Sequence, residues 1–308
     1  MKNARIAYAA LAAVCFFWGT TYLGIRIAIE TIPPLYLIAI RYTISGTILL
    51  IGARLGGFTL PSGRELRQTA ICGIICIGIG NGFLAIAELL IPSGLAALFY
   101  TTAPFWMVGL DALLPQGKRP SLATVGGLCI GFAGVAFLVY PAARQEGFGG
   151  HTISGFLLLE LSAVGWVLGA LLQKRVQTSA QPFVNGAVQQ LAAGLATFVP
   201  AALFEKLPHA VSLRSEFAVA YLVVFGSLVG FSAFIYAMTH LPVAIVSIYT
   251  FVNPVVAILL GWLFFREPFG VRELAAMLII FSGIGVVRWS ESIAERRRDL
   301  VSTRIPAA

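Results

Sequence analysis

Residues 91–135 read IPSGLAALFYTTAPFWMVGLDALLPQGKRPSLATVGGLCIGFAGV, which is a pair of apolar segments around a short basic turn. A similar stretch, LPVAIVSIYTFVNPVVAILLGWLFFREPFGVRELAAMLIIFSGIGVV, occupies residues 241–287. The clearest matches, all 150 residues apart, are Gly80 with Gly230, Pro92 with Pro242 and Pro104 with Pro254. Self-similarity of this kind in an apolar chain indicates a membrane protein built from internal repeats.

The repetition extends to the start of the chain at a slightly different spacing. Matches 148 residues apart are Trp18 with Trp166, Arg26 with Lys174 and Pro34 with Pro182. The chain is therefore interpreted as one unit of roughly 145 residues written twice. We expect a first repeat over residues 1–145, a second over residues 150–292, and a basic cytoplasmic tail over residues 293–308.

The composition excludes a soluble globular protein. Of the 308 residues, 58% are hydrophobic and 11% are charged, and the mean hydropathy is +0.89. Soluble domains carry about 25% charged residues, so the lipid bilayer is the expected solvent of this chain. The net charge of +8 could point to nucleic acid. Most Lys and Arg residues lie between apolar runs, however, where they orient a membrane protein, so no nucleic-acid partner is expected.

Ten apolar runs are long enough to cross a bilayer as helices. They are residues 6–26, 35–54, 68–89, 93–114, 121–140, 153–172, 183–204, 216–238, 242–264 and 271–289. The predicted fold class is therefore an all-α polytopic membrane protein of ten transmembrane helices. Thirteen Lys and Arg residues fall on the side of the N-terminus and six on the other side. This bias predicts that both termini are cytoplasmic and that the protein lies in the cell membrane, the inner membrane of a bacterium.

The number of spans in each repeat has a consequence for orientation. Five spans is an odd number, so the second repeat must cross the membrane in the opposite sense from the first. Two similar units related by an axis in the membrane plane are typical of transporters. Similar halves can exchange conformations, which brings inward-open and outward-open states close in free energy.

Four fragments together resemble the drug/metabolite transporter superfamily, specifically its bacterial EamA type and within it a YedA-like branch. The fragments are FFWGTTYLGIRIA, PPLYLIAIRY, GNGFLAIAELLIPSGLAALFYTTAPFW and IYTFVNPVVAILLGWLFFREPFG. The resemblance implies a ten-helix bundle that exports or exchanges small metabolites, among them amino acids, related compounds or drugs. One departure is the turn QGKR at residues 116–119, where the second repeat has Arg266-Glu267-Pro268.

The ionisable residues well inside predicted spans, where a charge is costly and faces protein or water, include Arg41, Glu88, Asp111 and Glu160. Asp111 lies near the cytoplasmic end of its span, where its side chain is expected to reach toward water. Arg41, Glu88 and Glu160 are all expected in the outer third of the bundle. We hypothesise that Arg41 pairs with Glu88 or with Glu160. The pair would either lock helices together or take part in gating, substrate binding or proton coupling. A proton-coupled antiporter would use Glu88 or Glu160 as its titrating group, and a facilitator would need neither.

Prolines at matching mid-span positions indicate a central pathway, because paired helix interruptions mark the binding site in inverted-repeat transporters. The predicted lining residues are Trp18, Tyr22, Asn81, Tyr100, Thr101, Pro104, Trp166, Tyr249, Asn253 and Pro254. The alternatives are a simple packing kink at the prolines, a helix-bridging role for Asn81, and core packing of the two tryptophans.

The function predicted from these patterns is export of a small-molecule substrate by alternating access. Import or exchange by the same fold is one alternative, and a membrane-embedded enzyme, channel or scaffold is another. The sequence contains no HExxH, GxSxG or GxxxxGK[ST] motif, and its cysteines have no Cys/His partner pair nearby. We therefore expect no enzymatic activity, no cofactor and no metal site, with protons as a candidate coupling ion.

Overall fold

The structure, a computed structural model, describes residues 2–115, 120–146, 150–207, 210–241, 249–267 and 269–302. Within these residues the chain forms ten helical rods and no strand, which confirms the predicted all-α fold class. The rods are α1 (Lys2–Ala28), α2 (Pro34–Leu55), α3 (Gly63–Ala87), α4 (Ser93–Leu113), α5 (Leu122–Glu146), α6 (His151–Arg175), α7 (Pro182–Phe204), α8 (Leu213–Tyr221, Leu222–Val229 and Gly230–His240), α9 (Tyr249–Phe265) and α10 (Val271–Ser302).

Most of the described rods have the length and polarity that a bilayer requires. Seven of them are at least 18 residues long and sufficiently apolar to cross a membrane, and α5 and α9 contain shorter apolar stretches over Leu122–Phe137 and Val252–Phe265. An α-helix satisfies its own backbone hydrogen bonds, which is why an apolar chain adopts this form in lipid.

Corresponding helices of the two repeats begin in the same way. Both α2 and α7 have proline at the first helical position, Pro34 and Pro182, where the missing N–H costs nothing. At α2 the Glu205 carboxylate, which follows α7, accepts hydrogen bonds from the main-chain N–H groups of Leu35 and Tyr36 at 2.9 and 3.1 Å. A residue at the end of a helix in the second repeat thus stabilises the start of a helix in the first.

The two repeats interlock, and they do not lie side by side as separate bundles. Three contacts join a helix to its own repeat-mate: α2 with α7, α4 with α9, and α5 with α10. Other contacts occur in pairs that the repeat relates. Helix α1 packs on α8 and α9 of the second repeat, and its repeat-mate α6 packs on α3 and α4 of the first. This pattern is what an internal two-fold relation between inverted repeats produces.

Glycines permit the close approach of these helices. A Cβ added to Gly46 of α2 would collide with main-chain atoms of Leu191 in α7, including Cα at 2.7 Å. Its repeat-mate Gly194 would collide in the same way with the main chain of Thr43. The same feature recurs between α5 and α10, where a Cβ on Gly127 would lie 2.8 Å from the Gly283 carbonyl. Small residues therefore set the distances between the repeats.

The interruptions of the helices differ in part from the sequence expectation. A 3₁₀ turn over Tyr100–Thr102 breaks α4 just before Pro104, as predicted. In the second repeat Pro254 lies inside the continuous helix α9, and residues 242–248 before that helix lie outside the described residues. Both repeats contain π-helical turns that the sequence analysis did not identify, over Ile74–Ile79 in α3 and Leu222–Val229 in α8. These turns occupy corresponding positions and so are a property of the repeat.

The predicted basic regions have different outcomes. The turn at residues 116–119, with Lys118 and Arg119, lies outside the described residues. The helix α10 continues to Ser302, so the first part of the predicted tail is helical.

Gly46→Ala should destabilise the protein because the new methyl group meets the main chain of α7, which cannot move without shifting the whole helix. We expect a loss of about 1–3 kcal/mol in the free energy of unfolding. The measurement is thermal unfolding of the purified protein in detergent, followed by the loss of the monodisperse gel-filtration peak.

Gly52→Ala is the matched control on the same helix, since a Cβ at Gly52 meets nothing within 4 Å. It should be neutral or slightly stabilising because alanine is the better helix former. Equal effects of the two substitutions would contradict the close packing of α2 on α7.

Candidate functional site

An aromatic cluster lies where helices of both repeats meet. The Trp18 ring of α1 makes an edge-on contact with Trp166 of α6, with ring centroids 6.3 Å apart. Phe234 of α8 and Tyr249 of α9 approach the same ring at 5.0 and 5.2 Å. All four side chains are half-buried. The structure thus brings together Trp18, Trp166 and Tyr249, three of the residues predicted to line a central pathway.

The π turn of α8 fixes the orientation of Trp18. Its indole Nε1 donates a hydrogen bond of 3.1 Å to the main-chain oxygen of Gly226. A Cβ on Gly230 would lie 2.6 Å from that same nitrogen, so glycine is needed for the ring to fit. Turns of π-helix carry irregular backbone hydrogen bonding and occur frequently at functional sites.

The same turn also holds Arg41, which is 4% exposed. Its Nε donates to the Ser227 hydroxyl at 2.9 Å, and its guanidinium carbon lies 4.7 Å from the centre of the Tyr42 ring. Its Nη2 lies beside Gly226, at 2.7 Å from where a Cβ would be. The Nη1 atom is buried and makes no hydrogen bond to any residue that the structure describes.

The expected pairing of Arg41 with Glu88 or Glu160 is wrong in this structure. Ion pairs between described side chains join Asp111 to Arg175, Glu30 to Arg214 and Glu273 to Arg272. Arg41 has no carboxylate within 4.0 Å among the described residues. Its side chain reaches α8 in place of α3 or α6, which the order of spans along the chain could not indicate.

Glu160 is bound to the broken helix α4. One carboxylate oxygen accepts a hydrogen bond from the Thr102 hydroxyl at 2.9 Å, and the other accepts one from the Trp106 indole at 2.5 Å. The carboxyl is 9% exposed and is supplied with donors on both oxygens. Glu160 therefore connects α6 to the 3₁₀ turn of its neighbour.

Glu88 stands in a different environment, immediately after the last residue of α3. Arg26 of α1 donates a hydrogen bond to its main-chain oxygen, which satisfies a carbonyl at the helix end. The side chain is fully buried, and neither carboxyl oxygen has a hydrogen-bond partner among the described residues. Tyr22 of α1, another residue of the predicted pathway, is also buried, at 8% exposed.

The 3₁₀ turn of α4 satisfies most of its own polar groups. The Thr101 hydroxyl donates to the main-chain oxygen of Leu98 at 2.6 Å. Thr101 therefore has its donor occupied and is 2% exposed. Tyr100 is half-buried.

The two predicted asparagines have different environments. Asn253 is 8% exposed, and with its amide nitrogen facing the nearby carbonyls it donates to the main-chain oxygens of Cys15 and Tyr249 at 3.0 and 3.1 Å. It therefore bridges α1 and α9, next to the buried Pro254. Asn81 follows the π turn of α3 and is half-buried, with no hydrogen-bond partner among the described side chains and backbone.

Several polar and aromatic contacts were not anticipated from the sequence. The residues involved are Thr102, Trp106, Ser227, Phe234 and Glu267. The sequence contained one usable signal, the repeated glycines Gly80 and Gly230, which mark the ends of the two π turns.

Glu267 joins the second repeat to the start of α4. One carboxylate oxygen accepts from the N–H and the hydroxyl of Ser93 at 2.8 and 2.9 Å, and the other accepts from the N–H of Gly94 at 2.9 Å. A carboxylate on free N–H groups at a helix start is stabilising. Sequence comparison of the repeats showed that Glu267 has no counterpart at residues 116–119, but it could not show that its target lies in the first repeat.

Comparison with known proteins agrees with this architecture. The family model described as EamA-like transporter family matches the chain twice, over residues 5–140 and 153–289. A solved crystal structure that is 24% identical covers 93% of this chain and 97% of its own, with a TM-score of 0.65, and so supports the fold.

Individual relatives match nearly the whole chain, and some of them are named as transporters. The uncharacterized inner membrane transporter YedA of Escherichia coli K12 is 32% identical, over 91% of this chain and 90% of its own. The uncharacterized transporter YvbV of Bacillus subtilis is 29% identical over 90% of each chain. Protein PecM of Dickeya dadantii is 26% identical, over 91% of this chain and 92% of its own.

Glu267→Gln should destabilise the protein, because the amide offers one acceptor oxygen and turns its NH₂ group toward N–H donors. We expect a loss of about 1–2 kcal/mol, as for the removal of a helix cap. Thermal unfolding in detergent measures it. The control is Glu30→Gln, which removes a surface ion pair 3.6 Å long and should change the midpoint little. An unchanged midpoint for Glu267→Gln would contradict the role of this carboxylate at α4.

Proposed function

The chain belongs to the EamA-like transporter family, and from that premise we propose that it is a secondary transporter exporting a small metabolite by alternating access. The protein is a multi-pass membrane protein. We place it in the bacterial inner membrane with both termini cytoplasmic, in agreement with the Lys and Arg distribution. It needs no cofactor for this activity.

The interlocking of the repeats is the observation that carries the proposal. Helices α1 and α6 are repeat-mates, and each packs on corresponding partners in the other repeat. Their tryptophans, Trp18 and Trp166, touch at the centre of the aromatic cluster. A movement of one repeat against the other would rearrange this contact, because each tryptophan belongs to a different half. That geometry supports a site that opens alternately to either side of the membrane.

The substrate we propose is an amino acid, a related compound or a drug-like molecule with an apolar body. The aromatic cluster supports this choice, since rings of Trp18, Trp166, Phe234 and Tyr249 offer apolar contact surface at low cost in side-chain entropy. Asn81 supplies a half-buried amide that has no hydrogen-bond partner among the described residues, and we propose that it binds a polar group of the substrate.

Protons are the coupling ion in this proposal, and Glu88 is the better candidate for the titrating group. Its two carboxyl oxygens have no partner, so gaining or losing a proton breaks no hydrogen bond among the described residues. Both oxygens of Glu160 accept hydrogen bonds from α4, and a proton there would compete with Thr102 and Trp106. Glu160 is therefore better explained as a structural link.

Trp18→Ala should abolish export because it removes both the centre of the aromatic cluster and the hydrogen bond to the π turn of α8. Cells overproducing each form would be compared for extracellular solutes and for resistance to toxic amino acid analogues. We expect at least one solute to be exported by the wild type only, with both forms equally abundant in the membrane.

The matched control is Trp289→Ala, since Trp289 is 62% exposed on α10 and away from the cluster. It should export like the wild type. If wild-type cells release no solute above cells that lack the protein, over a broad panel, the proposal of export fails.

Glu88→Gln should remove the dependence of uptake or efflux on a pH gradient while leaving substrate exchange between the two sides intact. The change is nearly isosteric and removes the proton-binding group. The measurement is transport in proteoliposomes with and without an imposed pH gradient. Glu160→Gln should keep the response to the gradient. A Glu88→Gln protein that still responds fully would rule out coupling through this carboxyl.

A further inference from the structure

Arg41 carries a buried positive charge that the described part of the protein leaves uncompensated. The side chain is 4% exposed, and its Nη1 atom has no hydrogen-bond partner within the described ranges. The contacts it does make are with the neutral Ser227 hydroxyl and the face of the Tyr42 ring. An isolated ion in such surroundings costs several kcal/mol, and a cation–π contact offsets only part of that.

Arg41 also lies next to the aromatic cluster. Its Nη2 borders Gly226, and the main-chain oxygen of Gly226 accepts the hydrogen bond from Trp18. One turn of α8 therefore contacts both the cation and the central tryptophan. A group bound to Arg41 would lie beside the ring surfaces that suit an apolar body.

The repeat-mate of Arg41 strengthens the argument that the charge serves a ligand. The residue 148 positions later is Gln189, which is neutral and whose Nε2 donates to Gln173 at 2.8 Å. The fold therefore accepts an uncharged side chain with a protein partner at this position of the repeat. The charge at Arg41 is confined to one half, as expected for the recognition of one charged group on one solute.

We propose that Arg41 binds the carboxylate of the transported solute at the π turn of α8, with Ser227 orienting the guanidinium and Trp18 contacting the solute beside it. The proposal rests on the transport function proposed above and specifies its substrate class as carboxylates with an apolar body. The planar guanidinium presents parallel N–H donors that match the two oxygens of a carboxylate. The bound carboxylate and the Arg41 guanidinium would also neutralise each other's charge while the solute crosses the membrane.

The test uses pairs of compounds that differ at the carboxylate. The probes are phenylacetate and phenylacetamide, L-phenylalanine and L-phenylalaninamide, and L-leucine and L-leucinamide. Binding to the full-length protein in detergent is measured by thermal stabilisation over a concentration series. The acid of at least one pair should stabilise the wild type, and its amide should bind about tenfold more weakly or worse.

Arg41→Gln should remove the preference for the acid, and Arg41→Lys should keep part of it. Arg214→Gln is the matched control, since Arg214 is exposed and pairs with Glu30 at the surface. Gly226→Ala is a second variant that keeps the arginine but displaces it, because the new methyl group would lie 2.7 Å from Nη2. It should weaken binding of the acid even if Arg41→Gln does not fold.

The proposal is overturned if no acid in the three pairs binds better than its amide. It is also overturned if the preference for the acid survives both Arg41→Gln and Gly226→Ala. The transport function can stand in either case: if the efflux comparison detects export of neutral or cationic solutes only, the protein is a transporter and Arg41 is not its carboxylate site.

Discussion

The hydrocarbon interior of a bilayer provides no water to hydrogen-bond a polar group, and this constraint governs every level of the structure. An α-helix meets this constraint, because it satisfies its backbone hydrogen bonds within one segment. Helices in lipid gain no hydrophobic stabilisation from contact with one another, because the lipid is as apolar as their side chains. Their association therefore depends on close packing, which small residues permit. Gly46 and its repeat-mate Gly194 provide this close packing, because each lies against the main chain of the other repeat. The same constraint also makes any polar side chain without a partner informative.

The scaffold is symmetric, whereas the polar chemistry placed on it is not. The contacts of α1 and α6, and the π turns of α3 and α8, recur in both halves. Arg41 is charged, whereas Gln189 at the matching position is neutral. Glu267 has no acidic counterpart in the first repeat. The asymmetric side chains give the two halves different contacts, with one cation against a single π turn and one carboxylate on the start of α4.

The sequence predicted which residues correspond in the two repeats better than it predicted the contacts that these residues make. Trp18 and Trp166 were recognised as repeat-mates inside their spans, and they do touch. The interruption of α4 before Pro104 followed from the loss of a backbone donor. The partner of Arg41 was missed because depth in the membrane restricts a residue to a layer and says nothing of which neighbour it faces. Ser227 follows a glycine in an apolar run, and no local pattern distinguishes it from a packing residue.

The amino-acid sequence by itself determined the solvent, the number of helices, their duplication and the opposite orientation of the two halves. These properties follow from the composition, the lengths of the apolar runs and the spacing of the repeat. Each can be counted along the chain without knowing which helices lie side by side. The tertiary structure alone decided that the repeats interlock and that α8 holds both Trp18 and Arg41. It also decided that the Glu88 carboxyl has no hydrogen-bond partner in the described part of the chain, while the Glu160 carboxyl has two. Those outcomes depend on the rotation of each helix about its axis and on which helix lies beside it, and in an apolar bundle many rotations bury similar area.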